Sequence, residues 1–453
     1  MGAILSNKRA WRENIKREFK HLLLSILIAV LTFVGLFMIK LFFGFVGEVK
    51  NSILQLLYYI IAFFSVLIFI RYISLLILSF LAIIDKTYRV VYPDRYKKRR
   101  VTIIVPAYNE EVVILKALQS LKRQTYPNLE ILVVDDGSKD RTYIKAKQME
   151  FEKGQRRLVV YRKKNGGKAH AINYGIERAS GELIVVVDAD SKLKENAIEL
   201  MVPYFEDPEI AAVAGSVYVA NRSNWLTKAQ ALEYIEGLNM VRMGQAYLKM
   251  VNIVPGPIGM FRKKHLYRVG LYDSDTFAED CDVTLKLLMA GYKVDYEPDA
   301  VAYTEAPEDL VSFVKQRYRW TRGILQAIKK HKRFLWDFRK PRMSFILWYM
   351  IFEGLMWPVV DILNAFLLVF SFLVMGGISI YLFYWWLFFT LMDMVAAIYS
   401  LLVTAESLSL VWIVLVYRLF FILFTNVQKV LASIEEFLGI KMGWNKLARK
   451  GKI

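Results

Sequence analysis

The chain has few of the residues that most often announce a metal or redox site. Its single cysteine, Cys281, excludes an intramolecular disulfide framework and any CxxC zinc site. The four histidines, at positions 21, 170, 265 and 331, are too scattered for metal-ligand spacing. No Gly-x-Gly-x-x-Gly and no Walker loop follows the apolar run at Val101, which disfavours a Rossmann dehydrogenase or a P-loop enzyme. Any phosphate-bearing ligand then has to be held by a metal ion and side-chain cations. Internal repeats and low-complexity linkers are also missing. Acidic residues are in the minority, 42 against 61 basic ones, for a net charge of +19.

What the chain has in abundance is apolar sequence. At 453 residues and 56% hydrophobic content it is too apolar for an ordinary soluble enzyme and too charged for an all-membrane bundle, so a mixed architecture is expected. Leu22 to Ile39 is uncharged and long enough to cross a hydrocarbon core of roughly 30 Å at about 1.5 Å per residue. No small-residue cleavage site follows it, so it reads as a span and not as a signal peptide. Ile53 to Ile84 is interrupted by Arg71 and reads as one long or bent span whose arginine faces protein or headgroups. Apolar runs return at Phe345 to Val374, Tyr381 to Val403 and Leu408 to Phe424.

The expected organisation is a basic N-terminus (1–20), a transmembrane hairpin (21–85), a catalytic α/β domain (86–310), amphipathic interface helices (311–343), a second transmembrane region (344–433) and a basic tail (434–453). Lys8, Arg9, Arg12, Lys16, Arg17 and Lys20 precede the first span, and Lys86, Arg89, Arg95, Lys97, Lys98, Arg99 and Arg100 follow the second. The positive-inside bias puts both ends of the hairpin, and the catalytic domain, on the cytoplasmic side of the cell membrane. Lys441, Lys446, Arg449, Lys450 and Lys452 argue the same for the tail, which requires an even number of C-terminal crossings. Three apolar runs conflict with that parity unless one is re-entrant or split, for instance near Pro358. Because the basic residues cluster beside hydrophobic spans, the lipid bilayer is the expected polyanionic partner and nucleic acid is not.

Val101 to Val105, Leu129 to Val134, Leu158 to Tyr161 and Glu182 to Val187 read as strands alternating with helices to Gln124, from Thr142 and over Lys168 to Ala179. Such alternation predicts a parallel sheet, with ligands beyond the carboxyl ends of its strands. Those ends carry Tyr108, Asp135-Asp136-Gly137-Ser138 and Asp188-Ala189-Asp190. Two carboxylates one residue apart at a strand end can hold Mg²⁺ or Mn²⁺ against a nucleotide diphosphate, though an Asp-x-Asp is often only an exposed turn. Asp135-Asp136-Gly137-Ser138 also reads as a turn with a helix N-cap. Ala278-Glu279-Asp280 then follows, readable as an acidic helix start, and Gln316-Arg317-Tyr318-Arg319-Trp320, readable as a buried amphipathic helix. Val254 to Met260, rich in glycine and proline, reads either as a border of the ligand site or as an ordinary loop.

In this order, flanked by apolar spans, these blocks resemble the family 2 glycosyltransferases of the membrane-embedded, polymer-forming kind, the cellulose, hyaluronan, chitin and poly-N-acetylglucosamine synthases. The resemblance covers nearly the whole chain, and Gln-x-x-Arg-Trp is its most specific part. It implies a GT-A-type domain, Rossmann-like with a parallel-core sheet, inserted between transmembrane helices. It further implies that Pro106, Ala107, Tyr108, Glu110 and Asp136 surround the nucleoside of a UDP-sugar, with Lys168 close by. Asp188 and Asp190 are the implied ligands of Mg²⁺ or Mn²⁺, with Asp188 also contacting the donor, and Asp280 the general base. Gln316 and Arg319 are placed at the diphosphate, and Glu279 and Trp320 at the acceptor. Ala278 departs from the threonine that the family carries there, losing a hydroxyl but not the acid.

The expected activity is processive, inverting polymerisation of a UDP-sugar, leaning to UDP-N-acetylglucosamine, with translocation of the growing polysaccharide through the enzyme's own helices and room for an accessory export subunit. A hyaluronan- or chitin-oligosaccharide-type synthase, or single transfer to a lipid-linked acceptor, is the alternative. A non-catalytic export scaffold is the reading from another class. Glu353, Asp361, Asn364, Asp393 and Arg418 lie in or beside the C-terminal apolar runs, either as channel groups or as interhelix pairs.

Overall fold

The computed structural model describes residues 2–47, 52–88, 98–375, 380–441 and 451–452. Of the basic flanking residues, Arg89, Arg95, Lys97, Lys446, Arg449 and Lys450 lie outside the described residues.

The strands of the soluble part are β1 (Val101–Ala107), β2 (Leu129–Asp135), β3 (Phe151–Lys153), β4 (Arg156–Arg162), β5 (Leu183–Val186), β6 (Ser191–Leu193), β7 (Ile210–Val219), β8 (Gly259–Arg262) and β9 (Lys293–Thr304). They form one nine-stranded sheet in the order β3-β4-β2-β1-β5-β8-β7-β9-β6. Strands β4, β2, β1 and β5 are parallel, with Val101 opposite both Leu129 and Leu183. The apolar runs of β1, β2 and β5 are buried along their whole length because helices cover both faces of this half. Ile103 and Val105 enter the core on one side, and Ile104 enters the opposite core with Ile172 and Ile176 of the Lys168–Arg178 helix.

The second half of the sheet departs from the parallel expectation. β8 runs antiparallel to both β5 and β7, and β6 antiparallel to β9, so the sheet is mixed around a parallel core. Antiparallel neighbours need no crossover helix between them. The strand-helix alternation that marks the first half therefore stops at Asp188.

Two long N-terminal helices, α1 (Gly2–Gly47) and α2 (Ser52–Tyr88), lie against the C-terminal helices. Leu24 and Leu31 of α1 and Ile61 and Leu76 of α2 share a core with Trp385 and Phe389 of the Ile380–Thr404 helix. Large apolar side chains such as Phe33 and Leu373 point outward, as expected where the solvent is lipid. Among the described residues, four helices are long and apolar enough to cross a membrane: Glu18–Gly47, Gln55–Thr87, Pro341–Phe370 and Phe383–Thr404.

The third C-terminal run is not one of them. It breaks into a 3₁₀ turn (Leu408–Trp412), a short helix (Ile413–Val416) and a π turn (Tyr417–Ile422) before the Leu423–Phe437 helix. Near Pro358 the chain passes through another π turn, Phe352–Met356, into the Trp357–Met375 helix. Pro358 has no N–H, and its ring crowds the carbonyl four residues back, so widening this turn is the local answer.

The charges inside this block pair with one another. Arg418 reaches Asp393 at 3.0 Å and Asp361 at 3.2 Å. Asn426 donates to Asp361 at 2.9 Å, and the Tyr72 hydroxyl to Asp393 at 2.7 Å. Arg71 pairs with Glu353. Of the two readings left open by the sequence, interhelix pairing accounts for these four acidic and basic positions. Asn364 is different, for among the described residues its buried side-chain oxygen has no hydrogen-bond donor.

Candidate active site

Parallel strands in register end together. Ala107 at the end of β1 lies opposite Asp135 at the end of β2, and Ile104 lies opposite Val186 of β5. The loops after these strands therefore face one crevice. Pro106 and Ala107 are buried within β1, and the Ala107 carbonyl accepts the Asp136 backbone N–H at 2.8 Å. Tyr108 and Glu110 are half-exposed on the loop beyond, where the Glu110 N–H donates to the Thr142 hydroxyl at 2.6 Å. The Asp136 carboxylate accepts from Gly167 N–H at 2.8 Å and from the Lys163 ammonium at 2.6 Å. Gly167 has φ +94°, a backbone open to glycine, and so can turn its N–H onto that carboxylate just before the Lys168–Arg178 helix begins.

Lys168, the first residue of that helix, joins two of the sequence blocks. Its ammonium lies 2.7 Å from Asp188 and 2.8 Å from Glu279. Gly256 closes the cluster, its N–H donating to the Asp280 carboxylate at 3.3 Å. A Cβ at Gly256 would meet Asp188 Oδ2 and the Lys168 ammonium, each at 2.9 Å. The backbone at Gly256 thus passes against the ion pair because it has no side chain. Asp190, two residues after Asp188 in the same tight turn, is buried, with the Ser191 hydroxyl donating to it at 3.3 Å.

Burial and crowding of like charge set the electrostatics. Burial, together with ionised Glu279, pushes the Asp280 carboxyl up to about 6, against the pull of Lys168. Asp188 is raised by burial and by neighbouring Asp190, only partly offset by Lys168. For Glu279 burial also works upward, but Lys168, with help from Arg319, brings the carboxyl below its ordinary range. Lys168 is desolvated too, yet Asp188, Glu279 and Asp280 hold it well above the usual lysine range.

Gln316, Arg319 and Trp320 lie on the Leu310–Lys330 helix, capped by the Asp309 side chain on the Ser312 N–H. The structure does not gather them into one contact. Gln316 is buried and accepts from the Arg317 guanidinium at 3.1 Å. Arg319 faces the acidic block closely enough to act on Glu279. Trp320 is half-buried against Tyr234, ring centroids 6.2 Å apart, with the Arg317 guanidinium 4.2 Å from its ring centre. One face of the indole is therefore covered by a cation.

Residues that no motif flagged sit here as well. Glu233 anchors Arg317 at 2.5 Å, and Arg242, buried, lies in the field of Asp280 with one terminal nitrogen that has no partner among the described residues. Isolated charges in a helical stretch carry no spacing signal, which is why sequence reasoning passes over them. A second acidic group, Asp273, Asp275 and Asp282, has carboxylate oxygens within 4.8 Å of one another. Lys330 fills the space between them, at 2.7, 2.8 and 3.0 Å, so this group anchors a helix end.

Gly256→Ala is expected to displace the Lys168–Asp188 pair and, if the crevice takes the nucleotide expected from the sequence, to lower its affinity. A shift of about 1 Å in a positioned group can cost on the order of 10²-fold. Calorimetric titration of the variant with the nucleotide checks this, and unchanged affinity would detach Gly256 from the site.

Residues 102–270 match the profile of Glycosyl transferase family 2. A poly-beta-1,6-N-acetyl-D-glucosamine synthase of Staphylococcus epidermidis is 31% identical over 261 residues, 55% of this chain and 63% of that protein. The synthase of the same name from Staphylococcus aureus (strain COL) is 31% identical over 273 residues, 58% of this chain and 63% of that protein. The chain thus spans less than two thirds of the length of these curated relatives. Among solved structures, a mannosyltransferase from Pyrobaculum calidifontis in complex with GDP-Man and Mn²⁺ superposes with a TM-score of 0.57 at 22% identity, covering 83% of this chain and 99% of that one. That likeness is one of fold.

Proposed function

From the premise that residues 102–270 are a family 2 glycosyltransferase domain on a GT-A-type fold, we propose that this membrane protein is an inverting, processive polysaccharide synthase using UDP-N-acetylglucosamine. The observation that carries the proposal is the meeting of Asp188, Lys168, Glu279 and Asp280 around Gly256, beyond the carboxyl ends of the parallel strands. The staphylococcal relatives supply the choice of sugar.

In this reading Pro106, Ala107, Tyr108, Glu110 and Asp136 flank the nucleoside. The acceptor hydroxyl attacks the anomeric carbon from the face opposite the nucleotide, and its proton passes to the Asp280 carboxylate. The bond from the anomeric carbon to the diphosphate oxygen breaks, and its electron pair leaves on UDP. Lys168 and Arg319 bring positive charge to that leaving group, Gln316 orients it, and Glu279 and Trp320 border the acceptor. The carboxylates of half-buried Asp188 and buried Asp190 fit a divalent cation, since they offer hard oxygen ligands and their mutual repulsion, which helps raise the Asp188 carboxyl, is what a cation between them would relieve. Mg²⁺ or Mn²⁺ bound there would neutralise charge on the departing diphosphate.

The pH dependence follows from the raised carboxyl of Asp280. Only the ionised form accepts a proton, so transfer is expected to fall as pH drops through about 6 and to level off above it. Initial rates between about pH 5 and 8 check this, and a flat profile would argue against Asp280 as the base.

Among the described residues, two C-terminal helices are candidate spans, a number compatible with a cytoplasmic tail. A cysteine introduced at exposed Lys139 should stay unreactive to an impermeant maleimide on sealed cells and react once the membrane is opened. Cys281, being buried, gives little background. Labelling from outside would invert the topology.

The activity itself is tested on purified protein with a panel of UDP-sugars and GDP-mannose, the products read by mass. Long products from UDP-N-acetylglucosamine while donor remains in excess are expected. Product halting at one added sugar would favour transfer to a lipid-linked acceptor, and no nucleotide release from any donor would leave a scaffold.

A further inference from the structure

A cavity of about 560 Å³ lies where the membrane helices meet the catalytic domain, and it shares no lining residue with the cluster around Gly256. One wall comes from the ends of candidate spans: Lys20 of the first, Ala82 to Thr87 of the second, Val403 and Thr404 of the fourth. The opposite wall is the sheet, with β9 and the tyrosines Tyr204, Tyr218, Tyr296 and Tyr303. Apolar side chains such as Ile83 and Val403 therefore face phenol rings and charges across a space of the size that small ligands occupy.

Most of the lining charges are already paired. Lys86 binds Asp299 at 2.7 Å, Lys249 binds Asp295 at 2.7 Å, and Glu406 holds the Arg222 guanidinium at 2.7 and 2.9 Å. Three are not. Among the described residues, Lys20, Lys194 and Asp85 have no ion-pair partner, and the half-buried Lys20 ammonium makes a single long contact, 3.4 Å to the Val403 carbonyl. A lysine at a span end has its stem in the hydrocarbon and its charge at headgroup level, the depth at which phosphate is found.

We propose that this cavity seats the headgroup of one bilayer phospholipid, with its phosphate between Lys20 and Lys194. An amine-bearing headgroup would turn its ammonium toward Asp85. The acyl chains leave along the apolar ends of the spans. A free anion would gain nothing from Ala82, Ile83 and Val403, which favours an amphiphile over soluble phosphate. This site does not depend on the sugar chemistry, and its readout is bound lipid, so it can fail or stand independently of the transferase reading.

The test is native mass spectrometry of the full chain, purified in mild detergent and exchanged into nanodiscs of phosphatidylethanolamine and phosphatidylglycerol. About one phospholipid per chain should survive washing that strips the annular lipid. Lys20→Ala with Lys194→Ala should cut that retention about tenfold, equivalent to about 1.4 kcal/mol. Thr87→Trp, which crowds the cavity wall while keeping both lysines, should do the same. Lys139→Ala, far from the cavity in sequence and not among its lining residues, should retain lipid as the parent does. Equal retention in both cavity variants, with folding verified by size exclusion, would overturn the proposal. So would displacement of the retained lipid by inorganic phosphate alone, which would mark a free-anion site.

Discussion

Replacing Asp280 by asparagine is expected to lower sugar transfer by a factor of roughly 10² or more while leaving UDP affinity close to the parent value. The substitution keeps the shape and the acceptor oxygen that can receive the Gly256 N–H, seen at 3.3 Å. What it removes, on the proposed mechanism, is the proton acceptor. It also removes one of the three negative charges that hold Lys168 protonated, but Asp188 and Glu279, at 2.7 and 2.8 Å, remain to keep the ammonium charged and in place. Radiolabelled sugar incorporation and nucleotide binding, measured on the same preparation, separate the two effects. Turnover near the parent rate would remove Asp280 from the chemistry, and loss of both together would reassign it to holding the site in shape.

The second large effect is expected among the helices of the apolar block. Arg418 is buried between Asp393 and Asp361, and Arg418→Ala would leave both carboxylates without their cation in a region of low dielectric. Breaking a buried pair from one side costs about 3–5 kcal/mol, because the remaining charge is uncompensated. Tyr72 and Asn426 would still donate to the two acids but carry no charge. Thermal unfolding in detergent should show a large loss for Arg418→Ala. In Arg418→Met with Asp361→Asn and Asp393→Asn, where the charges go together, much of that loss should be recovered. A single variant as stable as the parent would show that the acids take up protons or water at little cost.

The sequence was legible where local chemistry and fold agree. Val101 to Val105, Leu129 to Val134 and Glu182 to Val187 read as parallel strands because helices on both faces require apolar runs, and β1, β2 and β5 lie there. β8, only Gly259–Arg262, was not legible, since four residues carry no periodicity and its partners lie far off in sequence. In the site, the acidic blocks stand out as strings, but their convergence depends on Lys168 and on a backbone at Gly256 that no spacing encodes. The helical spacing of Gln316, Arg319 and Trp320 was visible. The Glu233–Arg317 contact that brings a cation onto the Trp320 ring was not, because it joins helices remote in sequence. The third C-terminal run looked like a span by composition alone. Its 3₁₀ and π turns leave no mark in composition, and the π turn carries Arg418, whose partners Asp361 and Asp393 lie on helices remote in sequence.

Lys168 acts on three carboxylates at once, Asp188, Glu279 and Asp280, and this ties two events that a reaction scheme writes separately. A ligand that draws the ammonium away from this trio lifts the restraint that Lys168 places on the Asp280 proton. By thermodynamic reciprocity, the protonation state of Asp280 must then alter how tightly that ligand is held, by the same factor. On the proposed mechanism, occupancy of the pocket by the donor would therefore be reported at the carboxylate proposed to receive the acceptor's proton.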